Sequence, residues 1–552
     1  MCKYMADFET NNNLDDCHVW AWYVCEIGNE GIFYKGINIE SFISTMFELG
    51  GVFYFHNLKF DAEFILNYLL KNGFESRKDI RKPGVKEVST LMSRQGALYS
   101  IRINNGKTTV KLYDSLKIFT NMKVSKIAEA FDLPEGKGEI DYNKDRPSGY
   151  EPTAEEWDYI RRDVEIVSKA LNFMFSQGMD KITMASNAMA NYRDFFCKNF
   201  DKVFPVLSID EDNFIRESYF GGWVYLNPAF AGKIIKKSGI VLDNNSLYPF
   251  VMATSLLPFG TPKMFEGKYK PNKRYPLYIQ NFRATFKIKE GHLPTIRHKK
   301  AWLKAAEVDF YYEGNELDLT LTSVDFELFL EHYHIINIEY FGGIMFQGST
   351  TLFTDFISNW AGVKEEATAN NNQGLRTLAK YMMNSLSGKF ALNPITYNKY
   401  PVYDGRIKYI TDEVPTERKP IYTAISSFIT SYGRRLTIQS AQKNFDRFIY
   451  SDTDSLHLIG DELPEGLEID DKKLGAWKIE KTFNKAKYLR PKSYIYHDGG
   501  LHVVCAGMPA DCYSQVNFLN FKINAKYYGH KTAKHVDGGI VLVEDYYTIR
   551  EC

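Results

Sequence analysis

Twice in this chain an apolar strand runs straight into acidic side chains, and few folds tolerate that arrangement. Near the N-terminus, Met5-Ala6-Asp7-Phe8-Glu9-Thr10 reads as a strand. Successive strand side chains alternate faces, so Asp7 and Glu9 project together while Ala6 and Phe8 point the other way. Far downstream, Ile240-Val241-Leu242-Asp243 is an apolar strand ending in an acid. The stretch Phe448-Ile449-Tyr450-Ser451-Asp452-Thr453-Asp454-Ser455-Leu456 reads as two apolar strands joined by an acidic turn. Neighbouring carboxylates repel one another unless a cation neutralises them. Hard divalent ions such as Mg²⁺ take oxygen ligands of this kind. Taken singly, Asp-x-Glu is an ordinary solvated strand end and Asp-Thr-Asp an ordinary polar turn; their company decides the reading.

Two further segments join the first pair. Tyr54-Phe55-His56-Asn57-Leu58-Lys59-Phe60-Asp61 ends an apolar strand with an Asn and an Asp. A helix is predicted from Pro152-Thr153-Ala154-Glu155-Glu156, where Thr153 and Glu156 have capping-box spacing. Ile160, Val164, Val167 and Leu171 form its core stripe, and Tyr159 and Asp163 share another face as i,i+4 neighbours. Asp7, Glu9, Asp61 and Asp163 could together hold two metal ions about 4 Å apart, which would activate a water, with Tyr159 to orient it.

Near the second cluster lies a helix predicted from Gly374 to Phe390, with Leu375, Leu378, Met382 and Leu386 as its buried stripe. Arg376, Lys380 and Asn384 occupy another face, which continues to Ser387 and Gly388. A cationic face opposite metal-binding acids suits a triphosphate: metals bridge its oxygens while Lys neutralises the departing pyrophosphate.

The 552-residue length exceeds one hydrophobic core and implies two or more packed units. The first ~180 residues read as α/β: a strand at Lys3–Phe8, a meander over His18–Ile27 and Gly31–Tyr34, and a helix at about Asp61–Lys71. Thr261–Gly348 and Ala391–Pro420 read as insertions, and Asp537-Gly538-Gly539 marks a hairpin near the C-terminus. Net charge is zero, so nucleic acid must meet local clusters of Lys and Arg rather than a uniformly basic surface. The candidates are Arg77/Lys78/Arg81/Lys82, Arg297–Lys300, and Lys522, Lys526, Lys531 and Lys534. The seven cysteines form no Cys-x-x-Cys pair, which argues for a reducing compartment without structural zinc. No apolar run reaches the roughly 18 residues of a membrane span, and a soluble, cytosolic protein is expected.

The motifs occur in an order that is itself specific. Asp-Phe-Glu-Thr, then Asn57-x-x-Phe60-Asp61, then Tyr159-x-x-x-Asp163 resembles the three Exo motifs of proofreading DNA polymerases. Asp243 to Pro249, Lys380-x-x-x-Asn384-Ser385-x-x-Gly388 and Tyr450-x-Asp452-Thr453-Asp454-Ser455 resemble motifs A, B and C of family B DNA polymerases. Tyr219-Phe220-Gly221-Gly222 is similar to the family's Tyr-x-Gly-Gly template segment, and Lys492-Ser493-Tyr494 to its Lys-x-Tyr primer motif. The resemblance covers nearly the whole chain. Its short length and two inserts resemble the protein-primed bacteriophage branch, the strand-displacing type of small tailed phages.

That resemblance implies an α/β and α+β multidomain fold: a ribonuclease H-like 3′→5′ exonuclease domain plus a right-hand polymerase with palm, fingers, thumb and two inserted sub-domains. The implied boundaries are exonuclease 1–183, palm 184–260 and 421–506, a TPR1-like insertion 261–351, fingers 352–390, a TPR2-like insertion 391–420 and thumb 507–552. It implies Asp243, Asp452 and Asp454 as polymerase metal ligands, and Asp7, Glu9, Asp61 and Asp163 as exonuclease metal ligands, with two Mg²⁺ (or Mn²⁺) ions per site. Lys144 would assist the exonuclease, and Tyr54, His56, Asn57, Phe60, Ser115 and Leu116 would grip a single-stranded primer end. Tyr248, Lys380, Lys364, Asn384, Ser387 and Gly388 would meet the incoming nucleotide, with Tyr248 blocking the ribose 2′-OH. Tyr219, Gly221 and Gly222 would hold template, and Lys492 and Tyr494 primer.

The implied partners are primer-template DNA, a displaced strand, deoxynucleoside triphosphates and a terminal-protein primer, for a monomer in the host cytoplasm. One residue departs from the family pattern: Ser387 stands where motif B usually has Tyr, and nucleotide affinity or base discrimination is expected to change unless Tyr381 compensates. A nuclease or DNA-binding protein with a degenerate polymerase half is the alternative, and intact Asp243, Asp452, Asp454 and Lys380 argue against it.

Overall fold

The computed structural model describes residues 2–551 apart from 79–81, 135, 137, 139, 142–143, 299–308 and 312–315. Arg81, Lys299 and Lys300 of the basic runs lie outside the described residues.

The N-terminal part is an α/β unit on one eight-stranded sheet. Lys3–Thr10 lies inside it, between Val19–Glu26 (antiparallel) and Gly51–Phe55 (parallel), and Thr109–Asp114 continues the parallel part. The strand runs to Thr10, so it contains Glu9. Alternation places Ala6 and Phe8 in a core with Phe42 and Phe55. Met5, two residues before Asp7, packs in a different core with Ile160 and Val164. Asp7 and Glu9 therefore face the helix Ala154–Ser176. That helix opens on the expected capping box, with Thr153 accepting from the Glu156 amide and Glu156 from the Thr153 amide. The second helix, Leu58–Lys71, starts earlier than the apolar pattern suggested, because Asn57 turns the chain at φ 73° directly after the strand.

The second acidic cluster sits on a five-stranded antiparallel sheet ordered Trp477–Phe483, Gly239–Asn244, Ser455–Ile459, Phe448–Asp452, Val224–Leu226. Ile240 and Leu242 bury one face with Phe448, Leu456 and Leu458, while Val241 joins Tyr450 and Tyr488 on the other. The first insertion is a four-stranded sheet that begins at Leu257 and carries the helix Ser323–His332. The second is a hairpin, Lys399–Tyr403 with Ile407–Thr411. The C-terminal hairpin pairs Lys526–Val536 with Gly539–Thr548 across a two-residue Asp537-Gly538 turn. Among the described residues no helix is long and apolar enough to cross a membrane.

These units are not separate cores. One cluster joins Met5, Tyr54 and Ile160 to Leu378 and Met382 of the helix Gln373–Phe390 and to Ile425 and Phe428 of the helix Thr423–Lys443. The join is close: a Cβ on Gly374 would lie 3.1 Å from the Phe131 ring.

Candidate active sites

At the first cluster, Asp61 is buried in the first turn of its helix and accepts a hydrogen bond from the Phe8 amide, which sets it beside Asp7. Burial, and then the charge of Asp7, push its carboxyl well above the usual carboxylate range. Its Oδ1 has no hydrogen-bond partner among the described residues. Tyr159 and Asp163 are both buried on the helix face turned to this strand. Glu156 shares that face one turn earlier. Burial opposes its ionisation, but the Thr153 amide, Tyr150, Lys144 and Arg146 together bring its pKa down to about 2. Lys144 is bound there, 3.1 Å from Glu156 and hydrogen-bonded to Tyr150.

The expected primer-grip residues divide by exposure. Asn57 is exposed, and His56, Phe60 and Leu116 are half-buried. Tyr54 is only 3% exposed, its ring packed against Tyr113 and Phe175, and Ser115 is fully buried. Ser115 donates to the Phe55 carbonyl and bonds His56 Nδ1, both at 3.0 Å. These two residues therefore brace the wall rather than present a surface. Asp114, which sequence reasoning missed, organises the same wall: its Oδ1 accepts from the amides of Asn57, Leu58 and Leu116 at 3.0, 3.3 and 3.1 Å.

At the second cluster, the strand register brings Asp243 opposite Ser455, and Ser455 opposite Asp452. The Asn244 amide donates to the Asp454 carbonyl at 2.7 Å. Burial, and then the charge of Asp243, raise the Asp454 carboxyl to about 6. Asp452 is turned to Lys492, 2.6 Å away, and Asp243 to Lys478, 3.2 Å away. Lys478 carried no motif signal; it is found only through the pairing that sets it directly across from Asp243.

The acidic turn is fixed from behind. Thr453 has φ 62° and donates its amide to the Trp223 carbonyl at 2.8 Å. Any Cβ on Gly222 would meet the Thr453 side chain at 2.5 Å, so this crossing needs glycine. Arg434 donates to the carbonyls of Phe220 and Gly221, both at 2.7 Å, and is held by Asp325 at 2.6 Å. Arg297 donates to the Gly222 carbonyl at 2.8 Å. Burial, then Arg434, bring its guanidinium down to about 10, so Arg297 is a structural brace and not part of a solvated basic run.

On the helix Gln373–Phe390, Lys380, Asn384 and Gly388 are exposed and Ser387 is half-buried. The Lys364 ammonium is pushed down by burial and by Arg376, Lys380 and Lys478, so these cations converge beside Asp243. Tyr248 packs on Gly433, and burial raises its phenol to about 12. Tyr494 stacks in a ring cluster with Tyr450, Tyr488 and His457. Tyr381 cannot stand in for the missing motif-B ring. Its hydroxyl reaches the Phe119 carbonyl at 3.3 Å, on a helix face away from Ser387.

Among the described residues, no three acid, histidine or cysteine side chains are gathered tightly enough to hold a metal alone. That fits Mg²⁺ chemistry, in which one or two carboxylates share the ion with substrate phosphates and water. The raised acids Asp61 and Asp454, each beside a like charge, are the donors such an ion would relieve. An acid with a raised folded-state pKa costs stability above about 6 and recovers it as pH falls. Asp454→Asn is therefore expected to raise stability at pH 7.5 by roughly 1–3 kcal/mol and to shrink the extra stabilisation given by Mg²⁺. Calorimetry with and without Mg²⁺ checks this, and a less stable variant would contradict it.

The family model for type B DNA polymerases, organellar and viral, matches residues 44–148 and 135–471. The DNA polymerase of Bacillus phage Nf is 41% identical over 99% of both chains. That of Bacillus phage phi29 is 40% identical over 99% of both. The solved structure of phi29 DNA polymerase complexed with primer-template DNA and incoming nucleotide substrates aligns with a TM-score of 0.92 at 40% identity, covering 100% of both chains. With the acids of motifs A and C side by side and the motif B cations converging on them, this chain belongs to the organellar and viral type B DNA polymerases and is a DNA-directed DNA polymerase.

Proposed function

We propose that this polymerase replicates a phage genome in the host cytoplasm by protein-primed initiation and strand-displacing elongation, and that residues 1–183 proofread as a 3′→5′ exonuclease. The observation that carries this reading is the presence of two separate carboxylate pairs, Asp7 with Asp61 and Asp243 with Asp454, each held together against mutual repulsion. Asp243 and Asp454, with Asp452 beside them, would hold the metals for synthesis. Asp7, Glu9, Asp61 and Asp163 would hold those for proofreading, with two Mg²⁺ (or Mn²⁺) ions at each site. When bound, such ions lower the pKa of the attacking hydroxyl or water and neutralise the leaving group.

The chain's own residues do the rest. Lys364, Lys380 and Asn384 receive the triphosphate, and Tyr248, backed by Gly433, closes the pocket on the ribose 2′ side. Ser387 and exposed Gly388 line the base. Lys492 and Tyr494 hold primer, while Tyr219, Gly221 and Gly222 hold template, positioned through Arg434. Tyr159 orients the water of the proofreading site, and Lys144 stands over the same helix face. His56, Asn57, Phe60 and Leu116 receive a frayed primer end, braced by Tyr54 and Ser115.

A cavity of about 990 Å³ runs between the N-terminal unit, the motif B helix and the 391–420 insertion, lined by Arg94, Lys117, Arg216, Lys389 and Arg418. A basic passage of this kind suits a single strand being parted from its complement. The terminal protein would meet the 261–351 insertion, and the protein acts as a monomer.

Asp7→Ala with Asp61→Ala is expected to keep primer extension while abolishing removal of a mismatched 3′ nucleotide, and Asp243→Ala to do the reverse. Continued primer shortening by the double variant would overturn the proofreading assignment. Ser387→Tyr restores a stacking ring worth about 1–3 kcal/mol. It is expected to lower the nucleotide KM about tenfold, and an unchanged KM in single-nucleotide addition would contradict the account of Ser387.

A further inference from the structure

The C-terminal hairpin is an arch anchored at both ends. Its root packs in a cluster with Cys512, Phe521 and Ile549. At about 3.4 Å per residue, its long strands carry the tip tens of ångströms away. The tip lands on the N-terminal unit so closely that a Cβ on Gly538 would lie 2.1 Å from the Cys17 carbonyl, and one on Gly539 2.5 Å from the Phe64 ring. The Asn12 side chain donates to and accepts from the Leu542 backbone at 2.7 and 2.6 Å. The hairpin Lys399–Tyr403/Ile407–Thr411 lands beside it. Thr90 Oγ1 donates to the Lys399 carbonyl at 2.7 Å, and Ile407 is buried in the same core as Phe64.

Two carboxylates tie the three elements together. Glu63, fully buried on the helix Leu58–Lys71, accepts from Tyr409 of the second insertion at 2.9 Å and pairs with His535 of the C-terminal hairpin at 3.1 Å. Asp537, on the hairpin turn, accepts from Tyr403 of the second insertion at 3.0 Å and from Lys71 of the helix at 2.8 Å. Each carboxylate thus takes one donor from each of the other two elements.

We propose that this reciprocal joint, centred on Glu63 and Asp537, is the lock of a ring that runs from palm through the C-terminal hairpin, the N-terminal helix and the second insertion back to the fingers. Duplex product then leaves only by sliding or by opening of the joint. The inference rests on the strand-displacing reading and adds the residues that make it processive. Lys531 and Lys534 are exposed along the arch, where a threaded duplex would pass. The two halves of the joint differ in strength. Lys71 and Asp537 are about half-exposed and screened by salt, whereas Glu63 is dry, and its hydrogen bonds are the costly ones to lose. Glu63 is a positioning residue: it touches neither nucleotide nor primer.

The test is Tyr403→Phe with Tyr409→Phe, which removes only two hydroxyl groups, alongside Glu63→Gln and Glu63→Ala. Each variant extends a singly primed circle after one binding event, with excess unlabelled primer-template as trap. Single-nucleotide addition and removal of a single-stranded 3′ end are measured in parallel. The double Tyr variant is expected to make products at least about tenfold shorter than wild type, with single-nucleotide addition within about twofold; each lost hydrogen bond to a charged group shifts closure by about that factor. Glu63→Gln should retain more length than Glu63→Ala. Full-length products from the Tyr double variant and Glu63→Ala would overturn the joint. Single-nucleotide addition falling in parallel with length would also overturn it, since that marks a general structural role. Short products from the wild type itself would overturn the strand-displacing reading and this lock with it.

Discussion

The structure depends on holding like charges together. Asp7 with Asp61, and Asp243 with Asp454, are neighbours that electrostatics alone would separate. Backbone pairing keeps them in place: Asp61 is tied to the Phe8 amide, and the register between Gly239–Asn244 and Ser455–Ile459 sets Asp243 against the acidic turn. The surrounding parts then serve that constraint. Thr453 is fixed by Trp223 and by the absence of a side chain at Gly222. Arg434, itself neutralised by buried Asp325, fixes the segment that carries Gly222. A buried ion pair of this kind contributes geometry more than net stability, because desolvation offsets much of its Coulomb energy.

The two acidic sites also share a core. Residues of the N-terminal sheet and its helix pack in one cluster with the motif B helix and the helix behind the palm. The Tyr381 hydroxyl on the Phe119 carbonyl, and Gly374 against Phe131, are points where the nucleotide-binding helix touches the N-terminal unit directly. A rigid connection of this kind keeps the distance between synthesis and proofreading sites constant, so that the primer end, not the protein, is what must travel.

Much of this was legible in the sequence. Strand alternation placed Asp7 and Glu9 on one face, the Thr153–Glu156 spacing gave the helix start, and Asp537-Gly538 gave the hairpin turn, because each is a local rule. What the sequence hid is long-range. Arg434 and Asp325 are 109 residues apart, and Lys478 faces Asp243 only through sheet register. Arg297 looked like part of a solvated basic run and proved to be a buried brace, since charge clustering says nothing about which way a side chain turns. Tyr54 and Ser115 were expected at a surface and lie behind it, because the strand that presents His56 buries its own neighbours. Asp114 left no mark beyond an acid at a strand end, yet it caps the turns on both sides of the proposed primer groove.

The central claim is that one chain couples metal-dependent synthesis to strand separation without help. The most direct measurement is extension of a singly primed circular template by the purified protein with Mg²⁺ and four deoxynucleoside triphosphates, and no accessory protein. The account predicts products many times longer than the circle, none without the divalent ion. Products that stop at one circuit, or primers that are only shortened, would contradict it.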